Sequence, residues 1–112
     1  MNKLLTTTAL SLLLMSLASV SYGQFDFEQT KRIAEQGLAS AQYSLGVMYS
    51  KGEGVPENNV RAYVWFSVGA AQGYEDARTN RDIMADRLTP EQLARGQDMA
   101  TRCFESDYQD CE

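Results

Sequence analysis

A glycine-rich loop is the first feature of this sequence that could do chemistry. Phosphate-binding loops need glycines that lead from a strand into a helix, often with Lys and Ser or Thr following. Here a helical pattern precedes Gly52 and Gly54, and Lys51 comes before the glycines rather than after them. Glu53 adds a negative charge that would repel a phosphate. The loop is therefore predicted to be a bend between two helices, with Gly52 ending the first.

Paired carboxylates are the second chemical possibility. Asp82 and Asp86 lie one helical turn apart, and Glu75 and Asp76 are adjacent. Such pairs can act as acid and base when one is buried beside the other, but interleaved arginines favour a solvated helix face. The chain has no His, which removes the commonest general base and metal ligand. We predict no catalytic residue, metal site or cofactor. A small cell-wall hydrolase or sugar-processing accessory protein is the alternative.

The first residues have the layout of a secretory signal peptide. Lys3 precedes a leucine-rich run that ends in small residues. This run is short and interrupted by Ser and Thr, whereas spanning a bilayer takes about 20 apolar residues. We predict a signal peptide over residues 1–23, cleaved after Ser21 or Gly23, with an uncleaved anchor helix as the alternative. The mature chain is then exported, periplasmic or secreted, without stable membrane insertion.

The predicted mature chain is small and acidic. It keeps fifteen acidic and nine basic residues, a net charge of −6, which argues against nucleic acid as a partner. Cys103 and Cys111 both lie in it, and two cysteines in an exported chain usually pair. We predict a disulfide between them that tethers residues 105–112, named here the tail. Two free thiols are the alternative.

Local signals predict about five helices and no strand. Thr89 and Gln92 form a capping box around Pro90, which suits the first helical position. Gly46 lies inside a helix, so a neighbouring helix is expected to come close there. Trp65 is expected to fill the space between paired helices. The predicted helices cover residues 27–36, 39–51, about 59–72, 75–88 and 90–104.

The sequence also repeats itself. "IAEQGLASAQ" (33–42) and "GAAQGYEDAR" (69–78) match at several Ala, Gln and Gly positions, 36 residues apart. A self-match near this period is typical of helical repeat arrays. We predict a repeat domain over residues 24–104, with one full repeat at 37–72. A degenerate capping repeat at 73–104 would follow, because end repeats need a polar outer face.

Residues 35–73 resemble a Sel1-like repeat, a relative of the tetratricopeptide helical repeats. The resemblance implies an all-α fold, a right-handed solenoid of antiparallel helix pairs used as a non-catalytic protein-binding adaptor. Family members include bacterial envelope and secreted proteins, which fits the signal peptide. The final motif lacks the family's spacer residue. The matching motifs are Ala41-Gln42, Leu45-Gly46 with Tyr49, Gly52 to Val55, Ala62 with Trp65, and Ala70 to Gly73.

We therefore expect an exported scaffold that binds a protein or peptide in the bacterial envelope, with self-association possible. At about 100° per residue, Val64, Ser67 and Val68 lie away from the expected core side of the third helix. An apolar strip of this kind is either a docking surface or is covered by flanking helices. Gln42 and Tyr43, on the preceding helix, are the other candidate binding residues.

Overall fold

The computed structural model describes residues 22–112, which form five α-helices and no strand. The predicted signal peptide lies outside these residues, except for Tyr22 and Gly23. The architecture is a short all-α solenoid, as predicted. Its helices are α1 (Tyr22–Glu35), α2 (Ala39–Lys51), α3 (Asn59–Ala71), α4 (Glu75–Arg87) and α5 (Pro90–Glu105).

The bounds of α2 to α5 agree with the predicted ones to within a residue or so, whereas the predicted start of α1 at residue 27 is wrong. The helix begins five residues earlier, at Tyr22. Asp26 lies inside the helix, where its carbonyl oxygen accepts a 2.6 Å hydrogen bond from Thr30 Oγ1.

Side-chain caps fix the starts of two helices. Asn58 Oδ1 accepts a 3.0 Å hydrogen bond from the backbone N–H of Arg61, at the start of α3. The predicted capping box opens α5: the backbone N–H of Gln92 donates to Thr89 Oγ1, and the N–H of Thr89 donates to Gln92 Oε1. These bonds satisfy backbone donors that have no partner within the helix.

The glycine-rich loop is the bend between α2 and α3. Gly52 takes the left-handed conformation (φ 70°), and its N–H donates to the carbonyl of Met48. The N–H of Asn58 then donates to the carbonyl of Tyr49 at 2.9 Å and closes the loop. Val55 is half-buried against the core. The loop thus connects two helices, as the sequence predicts, and follows no strand.

α3 is the central helix and packs against α2, α4 and α5. Its consecutive residues Val64, Trp65 and Phe66 are all fully buried. Because successive side chains on a helix point about 100° apart, their burial requires neighbours on several sides of α3. Trp65 thus fills the core, as predicted.

Two glycines allow helices to approach α3 closely. A Cβ at Gly46 of α2 would lie 2.5 Å from Phe66 Cε1, so the predicted close approach is present. A Cβ at Gly96 of α5 would lie 2.9 Å from Tyr63 Cδ1, a contact that the sequence analysis did not predict. α5 lies along α3 in the same direction, since Gly96 faces Tyr63 while residues 100–105 face residues 67–71.

α4 and α5 are joined by only Leu88 and Thr89, yet they barely contact one another. Neighbouring side chains of α4 accordingly differ in burial: Ile83 is 42% exposed whereas Met84 is 3% exposed. α4 packs mainly on α3, so only one side of α4 is covered.

Candidate protein-binding groove

Gln42, a predicted binding residue, is not available to a partner. It is fully buried. Its Nε2 donates to the carbonyl of Ala34 at 3.1 Å, and its Oε1 accepts a 2.8 Å hydrogen bond from Gln72 Nε2. Gln72 Nε2 also lies 2.9 Å from the carbonyl oxygen of Gly37. Gln42 therefore links α1, α2 and the end of α3 by satisfying buried polar groups.

Tyr43, the second candidate on α2, is half-buried and packs between other aromatic rings. Its ring centroid lies 5.9 Å from that of Phe66 and 5.4 Å from that of Tyr74. Aromatic rings at these separations attract one another and bury much apolar surface. The contacts of Tyr43 thus show a packing role at the edge of the core.

The apolar strip on α3 is covered rather than exposed. Val64 is fully buried and Val68 is 2% exposed, so these two side chains follow the second of the two alternatives, a strip covered by a flanking helix, and are not free candidates for binding. The cause is α5, which lies on this side of α3 and approaches closely through Gly96. Ser67 is half-buried, and Ala71 is exposed at the end of the strip.

Beyond the close contact at Gly96, an apolar groove of about 290 Å³ lies between α3 and α5. Its most exposed large side chain is Phe104, at 54%. The edge of the Phe104 ring meets the ring of Tyr108, with centroids 6.4 Å apart and an interplanar angle of 84°. The groove is lined by Ser67, Val68, Ala71, Ala100, Thr101, Phe104 and Glu105.

The hydroxyl groups in the groove do not make it polar, because both donate to carbonyls of their own helix. Ser67 Oγ donates to the carbonyl of Tyr63 at 2.7 Å, and Thr101 Oγ1 donates to that of Gln97 at 3.0 Å. Their methylene and methyl groups, with the neighbouring alanines, therefore supply apolar surface. Glu105 is the one charged residue of the lining. The groove can accept an apolar side chain with a positive charge beside it.

The four carboxylates considered for catalysis lie elsewhere. Glu75, Asp76, Asp82 and Asp86 are all exposed on α4, and Asp82 makes a 3.0 Å ion pair with Arg81. None of them lines a described cavity. Within residues 22–112, no cluster of three or more His, Cys, Asp or Glu residues could hold a metal ion.

The paired helices, the glycine bend and the central tryptophan lie in a segment that is similar to a known family. Residues 39–74 match the family model of the Sel1 repeat. The chain contains a Sel1 repeat. The match covers α2, the glycine bend, α3 and Tyr74, so the Sel1 repeat contributes one wall of the groove, and α5, outside the match, contributes the other.

A curated relative extends the comparison. Alginate biosynthesis protein AlgK of Azotobacter vinelandii is 31% identical over 78 residues, which are 70% of this chain and 17% of AlgK. The Sel1-repeat protein thus spans about a sixth of that relative's length. No solved structure gives a significant match to this chain. Among the described helices, none has the length and apolar character needed to cross a membrane.

Residues of only one wall of the groove were predicted from the sequence as binding residues. Ser67 and Val68 were candidates, whereas Ala100, Phe104 and Glu105 were not. The spacing of Ala100 and Phe104, four residues apart on one helix face, was the available signal. It was missed because Phe104 of the degenerate repeat can be aligned, with a two-residue shift, with Phe66 of the full repeat, which favoured a buried position.

Proposed function

We propose that this Sel1-repeat protein is a non-catalytic scaffold whose groove between α3 and α5 binds an apolar side chain of a protein or peptide partner. Sel1 repeats generally mediate protein–protein interaction. The observation that carries the proposal is Phe104, 54% exposed at the edge of an apolar groove. Aromatic side chains beside such clefts commonly supply much of the energy of an interface.

The negative charge of the groove and of the whole protein favours a partner that carries a positive charge. Glu105 lines the groove, and residues 22–112 carry fifteen acidic and nine basic residues. A partner segment with Leu, Met or Phe next to Lys or Arg would place its apolar side chain against Phe104 and its cation near Glu105. Complementary charges of this kind raise association rates and select the partner.

We further propose that the protein works outside the cytoplasm, in the bacterial envelope or beyond it. The signal-peptide pattern of residues 1–23 and the disulfide of the tail support this location, because disulfides persist in oxidising compartments. The similar protein AlgK is named for alginate biosynthesis. A scaffold role for the present chain in the biosynthesis of a polysaccharide is therefore part of the proposal.

A pull-down with matched variants tests the groove. Mature protein, Phe104→Ala and Ile83→Ala serve as baits against envelope extract, with bound proteins quantified by mass spectrometry. Ile83 is the control because it is also an exposed large apolar residue, at 42%, but lies on α4 outside the groove. We expect Phe104→Ala to reduce capture of the specific partner about tenfold or more, as hot-spot residues do, while Ile83→Ala retains it.

The same experiment can contradict the proposal. Equal losses for both variants, or no loss for either, would place the binding surface elsewhere. Sedimentation of the bait alone tests self-association: a dimer that Phe104→Ala dissociates would make a second copy of the chain the occupant of the groove.

A further inference from the structure

The tail folds back from the end of α5 across the solenoid to α1. Gln109 Nε2 donates to the carbonyl of Glu35 at 2.9 Å, and the Tyr108 ring packs over Gly37. The predicted disulfide between Cys103 and Cys111 is present and holds the far part of the tail against α5. The tail therefore lies over a seam between distant parts of the chain.

Glu112 is bound at the end of this path by donors from three helices. Lys31 Nζ of α1 lies 2.8 Å from Glu112 Oε2, and Arg61 Nε of α3 lies 3.7 Å from Oε1. The Tyr49 hydroxyl of α2 donates to Oε1. The Glu112 side chain is only 16% exposed. Hydrogen bonds to a charged carboxylate are stronger than those between neutral groups. Lys31 and Tyr49 hydrogen-bond to Glu112 and Arg61 adds an ion pair, so the three side chains form a built carboxylate site.

Two of the three side chains, Tyr49 and Arg61, also contact each other within the repeat. Tyr49 is 2% exposed, and the Arg61 guanidinium lies 5.8 Å from the centroid of its ring, within cation–π range. Burial, followed by the hydrogen bond to Glu112, raises the pKa of Tyr49. The hydrogen bond to Glu112 also raises the pKa of Lys31. Near neutral pH the site therefore presents a neutral phenol and two cations on an otherwise acidic molecule.

We propose that Lys31, Tyr49 and Arg61 form a binding site for an acidic side chain of a partner peptide, which the tail fills in cis while the Cys103–Cys111 disulfide is intact. Reduction by a dithiol opens the site. The dithiol gives two electrons and two protons, the Sγ–Sγ bond breaks, both cysteines become thiols, and the dithiol becomes a disulfide. The freed tail can then leave, and an acidic peptide takes the place of Glu112.

Trp65 reports whether the tail leaves. It is the only tryptophan of the chain. Together with Lys31, Glu35 and tail residues 108–112, it lines a cavity of about 150 Å³. It is fully buried, and its indole N–H has no hydrogen-bond partner. Release of the tail should therefore expose Trp65 to a soluble quencher such as iodide.

The test uses a fluorescent peptide with the sequence of residues 106–112 and Ser in place of Cys111. After reduction the attached tail still competes, because a tethered ligand has an effective concentration in the millimolar range. The receptor is therefore the Glu112→Gln variant of the full chain, reduced or oxidised. We expect peptide binding and iodide quenching of Trp65 only after reduction, with helical content by circular dichroism unchanged.

Matched controls assign the binding to the site. Adding Lys31→Met should weaken peptide binding about tenfold, the usual effect of losing a hydrogen bond to a charged group. Adding Lys51→Met, which removes an exposed lysine of α2, should leave it unchanged. A peptide with Gln in place of Glu112 should bind as weakly as the Lys31→Met receptor binds the acidic peptide.

Three results would overturn the inference: a Trp65 that stays shielded after reduction, equal binding of the acidic and the amide peptides, or a loss of helix that accompanies exposure of Trp65. The last would make the tail a stabilising element only. None of these outcomes bears on the groove between α3 and α5, which Phe104→Ala tests separately.

Discussion

The two helix pairs of this protein differ in how closely the helices of each pair pack against one another. α2 and α3, joined by the glycine bend, pack closely along their lengths, whereas α4 and α5, joined by Leu88 and Thr89, barely touch. The first pair lies within the segment that matches the Sel1 repeat. The second pair leaves α5 to pack on α3 instead, and this displacement creates the groove.

Two pairs of aligned residues explain the difference. In the first pair, Gly46 receives the ring of Phe66, which is fully buried. Thirty-six residues later, Asp82 takes the place of Gly46, and its exposed carboxylate binds Arg81. A charged side chain cannot receive an aromatic ring without costly desolvation. Phe104, the residue aligned with Phe66, is accordingly 54% exposed.

The largest expected effect is a difference in stability between alanine variants of Phe66 and Phe104. Phe66→Ala should lower the free energy of unfolding by about 3–5 kcal/mol, because it empties a packed core position. Phe104→Ala should change it by less than about 0.5 kcal/mol, as exposed substitutions usually do. Urea unfolding followed by Trp65 fluorescence and circular dichroism measures both values. Similar losses for the two variants would mean that Phe104 is a core residue and not a docking one.

The disulfide should have the next largest effect. The two cysteines are separated by 8 residues, so their crosslink closes a short loop in the unfolded chain. Chain entropy gives about 3 kcal/mol for a 15-residue loop; the double variant Cys103→Ser with Cys111→Ser should lose somewhat less. Hydrogen exchange should rise more in α5 than in α2 and α3. Uniform acceleration across all helices would show that the second pair does not depend specially on its crosslink.

The two close approaches should respond differently to a methyl group. Overpacking costs about 1–3 kcal/mol, and exchanging Gly for Ala in a helix regains about 1 kcal/mol of propensity. At Gly46 the Phe66 ring is locked in the core, so Gly46→Ala should destabilise. At Gly96 the Tyr63 ring is 8% exposed and can shift, so Gly96→Ala should be nearly neutral. Thermal melts of the two variants compare them directly, and a reversed order would contradict the packing described for α5.

The first helix pair was predictable from the sequence, while the course of α5 was not. Gly52 and the helix caps act on neighbouring residues, so their spacing in the sequence carries the information. The position of α5 depends on which surface of α3 remains free, and that is decided across the whole fold. For this reason the covering of Val64 and Val68 stayed open in the sequence.

The contacts of the tail also could not be predicted from local sequence. Pairing of Cys103 with Cys111 could be predicted from the predicted export of the chain, but the site of Glu112 could not. Lys31, Tyr49 and Arg61 come from three helices and share no sequence motif. Gln42 failed as a binding candidate for a related reason, since its partners Ala34 and Gln72 lie eight and thirty residues away.

The smallest expected effect is a pH dependence of stability that arises where Glu112 of the tail contacts Lys31 of α1 and Tyr49 of α2. Lys31 and Tyr49 both have pKa values raised in the folded protein. Groups of this kind add stability that is complete below their unfolded pKa values, about 10 for both, and is lost as the pH rises through the folded values. Stability should therefore fall above about pH 10. Because Lys31 is partly exposed, we expect a contribution of only about 1 kcal/mol.

Glu112→Gln provides the control for this prediction. It removes the carboxylate that raises the pKa of Lys31 and adds to the effect of burial on the pKa of Tyr49, but leaves every other titrating group in place. Urea unfolding at about pH 8 and at about pH 11 should show a larger loss for the wild type than for Glu112→Gln, by the amount that the carboxylate site contributes. Equal losses would mean that the tail adds no proton-linked stability and that its hold on the first helix pair rests on the disulfide and on packing.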